Sequence, residues 1–367
     1  MPTWVRAALV VGLLYLFLVG VRLLETGVKV LGEDSAEGLF NGVTHPIAAL
    51  FVGVLATVLV QSSSVTTATI VGLVAGGVLP IPTAVPMIMG ANIGTTVTNT
   101  VVSLGHVRRS EEFRRAFSAA TMHDFFNLIA VAILLPLELA TGVLSKTAAA
   151  IAERVSGGGL GGTFDSPIKG AVKWGAGHVE SAVERVVSNP TALGVALILV
   201  GVGFIFFTLV YITKNMKVLV AKRIEQSLNA ALAKSGIIAM ATGAVITFAV
   251  QSSSITTSIL IPLVASGILL IRNAYPITLG ANVGTTITAL LAALAAGTVD
   301  GLTIAFVHVL FNIAGILLLY PLPAMRFVPV RIAERLADVA IRRRWLAVTY
   351  VALAFIVVPL LGIVVLT

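Results

Sequence analysis

The sequence predicts an all-α polytopic membrane protein: two inverted-topology repeats, each with a re-entrant helical hairpin, then a C-terminal amphipathic helix and a final spanning helix. Three observations predict it. Of 367 residues, 57% are hydrophobic and only 11% charged, with mean hydropathy +1.04, where soluble domains carry roughly a quarter charged residues. The apolar runs are continuous and of helical spanning length, without the alternation of a transmembrane β-barrel. Finally, the chain repeats itself. Gln61-Ser62-Ser63-Ser64-Val65-Thr66-Thr67 returns as Gln251-Ser252-Ser253-Ser254-Ile255-Thr256-Thr257. At the same offset, Gly90-Ala91-Asn92-Ile93-Gly94-Thr95-Thr96-Val97-Thr98 falls on Gly280-Ala281-Asn282-Val283-Gly284-Thr285-Thr286-Ile287-Thr288. His123 and Asn127 find counterparts in His308 and Asn312 at a slightly shorter offset. Ordered matches of this kind mark an internal duplication, a common construction in transporters.

Residues 1–140 form the first repeat. Its first span covers 8–31 and ends at the acidic stretch Glu33, Asp34 and Glu37. That run lacks a small-residue cleavage site, so it reads as a retained helix. Segments 46–60 and 65–80 meet at the Gln-Ser run. Each is shorter than the roughly 20 residues a spanning helix needs, so together they read as a re-entrant hairpin. Pro46, Pro80 and Pro82 mark its mouth, because proline cannot continue a helical ladder. Spans at 83–104 and 116–137 follow, with the basic loop Arg108 to Arg115 between them.

Residues 141–189 are polar and read as an external linker, with a flexible joint at 157–162 and short amphipathic helices near 145–155 and 171–187. The second repeat, 190–325, begins with a span over 190–213, which runs into a basic cluster from Lys214 to Arg223. A second hairpin covers about 236–271, and spans follow at 276–296 and 301–320. Residues 326–345 read as an amphipathic helix on the cytoplasmic surface, and 346–367 as a last span. Three crossings per repeat invert the second repeat relative to the first. The basic clusters then share one side, which puts the N-terminus in the cytoplasm. The net charge of +8 is spent on these clusters, a membrane pattern and not a nucleic-acid one. There is no cysteine, hence no disulfide and no thiolate metal site.

Runs of hydroxyls are costly in hydrocarbon unless they face a ligand or a wet cavity. Each hairpin tip gathers hydroxyls, a Gln amide and, if a half-helix starts at the serines, open N–H groups with a partial positive charge. Two facing tips would make an oxyanion site from Gln61, Ser62, Ser63, Ser64, Gln251, Ser252, Ser253 and Ser254. Neither hairpin core contains lysine or arginine, so desolvating a dianion there would require co-bound cations. The Asn-x-Gly-Thr-Thr segments supply hard neutral oxygens suited to an alkali cation such as sodium. A proton is the other possible coupling ion, with Asp124 as the main carboxylate to carry it. His123 and Asp124 read equally as functional groups or as helix-end anchors, and His308 reads as a structural donor.

At these motifs the sequence resembles the type II sodium–phosphate cotransporter family, bacterial members included. The resemblance rests on the paired Gln-Ser-Ser-Ser runs, residues 88–95, 97–100, 113–117, 120–127 and 274–280. It implies inward transport of inorganic phosphate with sodium, a phosphate site on the two hairpin tips, a scaffold-and-transport organisation and a homodimer. Asn127, Thr285 and Thr288 match the family's sodium positions. The duplication adds Thr66, Asn92, Thr95, Thr98, Thr256, Asn282 and Asn312 as sodium candidates. His106 and Arg109 stand where electrogenic members have a Gln and an Asp. An acid replaced by a cation cannot bind sodium, so one sodium site is expected to be lost and transport to be electroneutral, two sodium ions per divalent phosphate. Carriage of another oxyanion, arsenate or sulfate, and an anion channel are the competing readings. A lipid phosphatase lacks a nucleophile–base or metal constellation.

Overall fold

The computed structural model describes residues 2–31, 45–156, 167–232 and 235–367. The acidic stretch 33–37 and the glycine joint 157–162 lie outside the described residues. Everything regular among the described residues is helical. Among the described residues, six helices are long and apolar enough to cross a membrane.

The chain opens with α1 (Thr3–Leu31), followed by two short helices, α2 (Pro46–Val60) and α3 (Ser63–Ala75). Then come α4 (Ile81–Thr95), α5 (Val97–Leu104), α6 (Ser110–Thr141), α7 (Val143–Val155) and α8 (Pro167–Glu184). The second half starts with α9 (Pro190–Leu232) and the short pair α10 (Gly236–Val250) and α11 (Ser253–Ala265). It continues with α12 (Ile271–Ala296), α13 (Val299–Leu319), α14 (Pro323–Arg326) and α15 (Val328–Arg342). The last crossing comprises α16 (Trp345–Ala352), a π-helical turn over Leu353–Val357 and α17 (Val358–Leu366).

The duplication is visible in packing. A Cβ on Gly90 of α4 would stand 1.9 Å from the Leu50 carbonyl of α2, and one on Gly280 of α12 would stand 1.8 Å from the Met240 carbonyl of α10. The four positions correspond at the 190-residue offset. Small residues let backbones approach this closely where no hydrophobic effect drives helices together in lipid. The helices that open the two halves pack on each other: Gly20 meets Gly201, and Gly27 meets Gly194. As numbers rise along α1 they fall along α9, so the pair is antiparallel. The second arm of each short pair crosses to the other half. α3 packs on α12 and α13, and α11 packs on α5 and α6.

Several expected elements differ. The span expected over 83–104 is interrupted at Thr96, whose N–H turns to the Ile93 carbonyl at 3.2 Å and whose hydroxyl donates to the same oxygen at 2.8 Å. That tighter turn ends α4 and lets α5 start on a new course; α12 runs unbroken through the equivalent Thr286. The basic segment 108–115 is not all loop, because α6 begins at Ser110 and carries Arg114 and Arg115. The helix expected to end near 213 continues to Leu232. Within the expected linker, α7 buries Leu144, Ala148 and Ala152, spaced one turn apart, against α13. Its start is capped by Glu138, which accepts from the N–H of Leu144 at 2.7 Å. α15 buries Val330, Ala333, Ala337 and Ala340 and packs on α6.

Candidate functional site

Each short helix pair breaks at its glutamine. Gln61 (φ 56) and Gln251 (φ 57) are the only non-glycine residues with positive φ among the described residues. A left-handed residue ends a helix, a position glycine usually fills at no steric cost. Here each glutamine ties its own turn down. Its Nε2 donates to the carbonyl three residues back, Val58 at 2.6 Å or Phe248 at 2.7 Å. Its Oε1 accepts from the threonine 37 residues ahead, Thr98 at 3.1 Å or Thr288 at 2.8 Å.

The next residue begins a helix. Ser62 and Ser252 are extended, and their hydroxyls accept from the N–H of Val65 and Ile255, each at 3.3 Å. These are N-caps, and α3 and α11 therefore start at Ser63 and Ser253 with first-turn N–H groups that the helix itself cannot satisfy. Ser63 (6% exposed) and Ser253 (2% exposed) are buried, and their hydroxyls make no hydrogen bond within the described protein. The two tips meet: the Ser64 hydroxyl donates to the main-chain carbonyl of Gln251 at 3.4 Å.

Beside the tips runs a buried amide chain. Asn127 Nδ2 donates to the Asn92 carbonyl at 2.8 Å, Asn282 Nδ2 donates to Asn127 Oδ1 at 2.9 Å, and His123 Nε2 lies 2.6 Å from Asn282 Oδ1. Four of the residues singled out from sequence, on three helices of both halves, thus form one network. Thr66, Thr95, Thr256 and Thr285 donate to carbonyls four residues back on their own helices, at 3.2, 2.8, 3.3 and 3.1 Å. Their oxygens keep lone pairs free to accept or to ligate a cation. Asn312 stands outside the network. Its Nδ2 donates to the His308 carbonyl at 2.9 Å, while its Oδ1 is buried with no donor. His308 makes no side-chain hydrogen bond, and its Nδ1 is buried.

Several partners were not among the sequence candidates. Asn99 holds α5 against α11, donating to Thr257 at 2.7 Å and accepting from Ser258 at 3.1 Å. Thr247 donates to Thr256 at 2.9 Å. Tyr350, from the last crossing, donates to Asp124 Oδ2 at 2.9 Å, and Thr100 donates to the same oxygen at 3.3 Å. Asp124 is fully buried and its Oδ1 has no partner. Arg109 is on an exposed turn, 2.8 Å from Glu112, and the hydrogen bond to that carboxylate raises the guanidinium above its ordinary value. His106 faces the same carboxylate at 3.6 Å.

Long apolar helices enclosing two interrupted, hydroxyl-tipped ones define a multi-pass helical membrane protein with a polar centre. The chain belongs to the Na+/Pi-cotransporter family, whose model matches residues 16–155 and 204–321. It is 35% identical to sodium-dependent phosphate transport protein 2A of Ovis aries, across 97% of this chain and 67% of that protein. Protein 2A of Rattus norvegicus is 36% identical across 96% and 66%, and protein 2B of Homo sapiens is 33% identical across 97% and 64%. The chain thus spans about two thirds of the length of these relatives. No solved structure matches it.

Proposed function

We propose that the chain takes up inorganic phosphate coupled to sodium by alternating access, with no covalent chemistry. The observation that carries this reading is the meeting of the two tips, Ser64 against Gln251 at 3.4 Å, beside buried serine hydroxyls with nothing to bond. Phosphate would sit between the starts of α3 and α11, held by Ser62, Ser63, Ser64, Ser252, Ser253 and Ser254 and their N–H groups. Gln61 and Gln251 would hold the two turns in shape, since their amides already engage Val58, Thr98, Phe248 and Thr288. Two helix N-termini only partly neutralise a divalent anion, which is why cations must enter with it.

Sodium fits the surrounding donors. The Asn312 Oδ1 without a donor is a hard neutral oxygen, as are the threonine oxygens of Thr66, Thr95, Thr98, Thr256, Thr285 and Thr288. Asn92, Asn127 and Asn282 would contribute the remaining amide and main-chain oxygens. Arg109, engaged with Glu112, supplies no carboxylate, so transport is electroneutral with two sodium ions per divalent phosphate; a phosphate-dependent inward current would contradict this.

The antiparallel packing of α1 on α9 supports two inverted repeats, 1–140 and 190–325, joined by 141–189. The paired breaks at Gln61 and Gln251 support re-entrant hairpins over about 46–80 and 236–271. Segments 326–345 and 346–367 follow as a surface helix and a further crossing. The setting is the cell membrane with a cytoplasmic N-terminus, and the assembly is a homodimer. Radiolabelled phosphate uptake into proteoliposomes, with sodium, potassium and proton gradients imposed in turn, tests the reading: only the sodium gradient should drive accumulation, and equal accumulation with potassium would refute it.

A further inference from the structure

The two tips engage neither Arg114 nor Arg115, both near the start of α6. They line a cavity of about 320 Å³, between the start of α6, the turn after α11 and α15. That is near the lower end of ligand pockets, which run roughly 300–1,000 Å³.

Several features make it a built site. Ser118 lines it and is 3% exposed, yet its hydroxyl makes no hydrogen bond within the described protein. Arg115 makes no ion pair among the described residues. Gly267, at φ +80, turns the chain beneath it, and the Arg115 Nη1 lies 2.7 Å from where a Cβ on Gly267 would stand. The positive φ favours glycine there, and a Cβ would displace the guanidinium from its present position. The first turn of α12 forms another wall, and its N-cap, Leu270, offers no side-chain acceptor. Such an end carries a partial positive charge and open N–H groups. The opposing charges are Glu334, on the wall, Asp338, which engages Arg114 at 2.5 Å, and Glu111, which acts on Arg114 through space. Arg115 remains uncommitted.

We propose that this cavity binds a phosphate group, with Arg115 and Ser118 as its main ligands. The guanidinium fork matches phosphate oxygens in two parallel bonds, and a serine donor completes a third. The group is either free phosphate or the headgroup of an anionic phospholipid, since the cavity lies at the start of a helix long and apolar enough to cross a membrane and has an apolar wall of Val264 and Leu269. The site is separate from the central pocket and does not depend on what that pocket carries.

The test uses the full chain with Ser63→Ala and Ser253→Ala as parent, so that the central pocket does not contribute, in sodium-free buffer. In one arm the parent sits in phosphatidylcholine nanodiscs and binds radiolabelled inorganic phosphate. In the other it is extracted from phosphatidylglycerol membranes, and native mass spectrometry counts the lipids retained. Arg115→Gln should weaken binding about tenfold in one arm, the effect of losing a charged hydrogen bond. Gly267→Ala should weaken the same arm without removing a charge, and Ser118→Ala provides the same readout should Arg115→Gln lower the melting temperature. Loss in the first arm identifies free phosphate, and loss in the second identifies the lipid. No binding by the parent in either arm, or equal binding by parent and folded variants in both, overturns the proposal. Sodium-driven uptake by the unsubstituted chain is measured separately, so failure here leaves the central reading intact.

Discussion

The Ser64 hydroxyl reaches the Gln251 carbonyl at 3.4 Å across 187 residues of sequence. That contact turns two similar tips into one polar centre. It also makes each tip answerable for the other, because a ligand seated between them touches both halves of the duplication.

Removing either inner serine should therefore disable the whole site. Ser63→Ala and Ser253→Ala are each expected to abolish sodium-dependent phosphate uptake. Neither hydroxyl bonds to protein, so truncation forfeits little folding energy, and the melting temperature in detergent should stay near that of the parent. Normal uptake by either variant would take these serines out of the site.

The left-handed glutamines separate backbone from side chain. Gln251→Gly keeps the positive φ without strain but loses the bonds to Thr288 and Phe248; it should fold and bind phosphate more weakly. Gln251→Val puts a β-branched residue in the left-handed region, where branching at Cβ adds to the strain that Gln251 already bears, and should lower the melting temperature as well. Calorimetry and equilibrium phosphate binding on both variants check the distinction.

Thr285 donates to the Ala281 carbonyl and leaves its oxygen for a cation. Thr285→Val preserves shape and removes that oxygen. The sodium concentration for half-maximal uptake should rise more than the phosphate concentration does; equal changes would argue for a general packing defect.

Gly280→Ala should unfold the α10–α12 contact. The new Cβ would stand 1.8 Å from the Met240 carbonyl, and main chain cannot yield as a flexible side chain does. Overpacking costs typically about 1–3 kcal/mol, so a marked fall in melting temperature is expected. Gly203→Ala, with open space around it, is the control and should leave the temperature unchanged.

Tyr350→Phe removes one of the two hydroxyls on the buried Asp124 oxygen. The cost should be about 1–3 kcal/mol, read as a lower unfolding temperature. Glu112→Gln, at the partly exposed first turn of α6, is expected to leave that temperature unaltered.

Much of this arrangement is legible in the sequence because the chain states it twice. The breaks after Val60 and Val250, and the helix starts at Ser63 and Ser253, lie where the repeated hydroxyl runs put them. What the repeat does not duplicate stayed hidden. Asn99 corresponds to Ala289, and Ser258 to Ala68, so the bond between the halves at this point has no echo. Tyr350 lies beyond both repeats, and only the fold brings it to Asp124. The glutamines read as ligands because amides suit phosphate. Their inward turn depends on a left-handed backbone that residue type does not announce. Thr96 ends α4 while Thr286 does not end α12, a difference set by tertiary surroundings and not by the shared motif.

The count of bound phosphate tests the central claim most directly. Radiolabelled phosphate should bind with a sodium-dependent increment of one per chain, and that increment should vanish in Ser63→Ala and equally in Ser253→Ala. An increment of two, or one that survives either substitution, would mean that the tips do not share a single pocket.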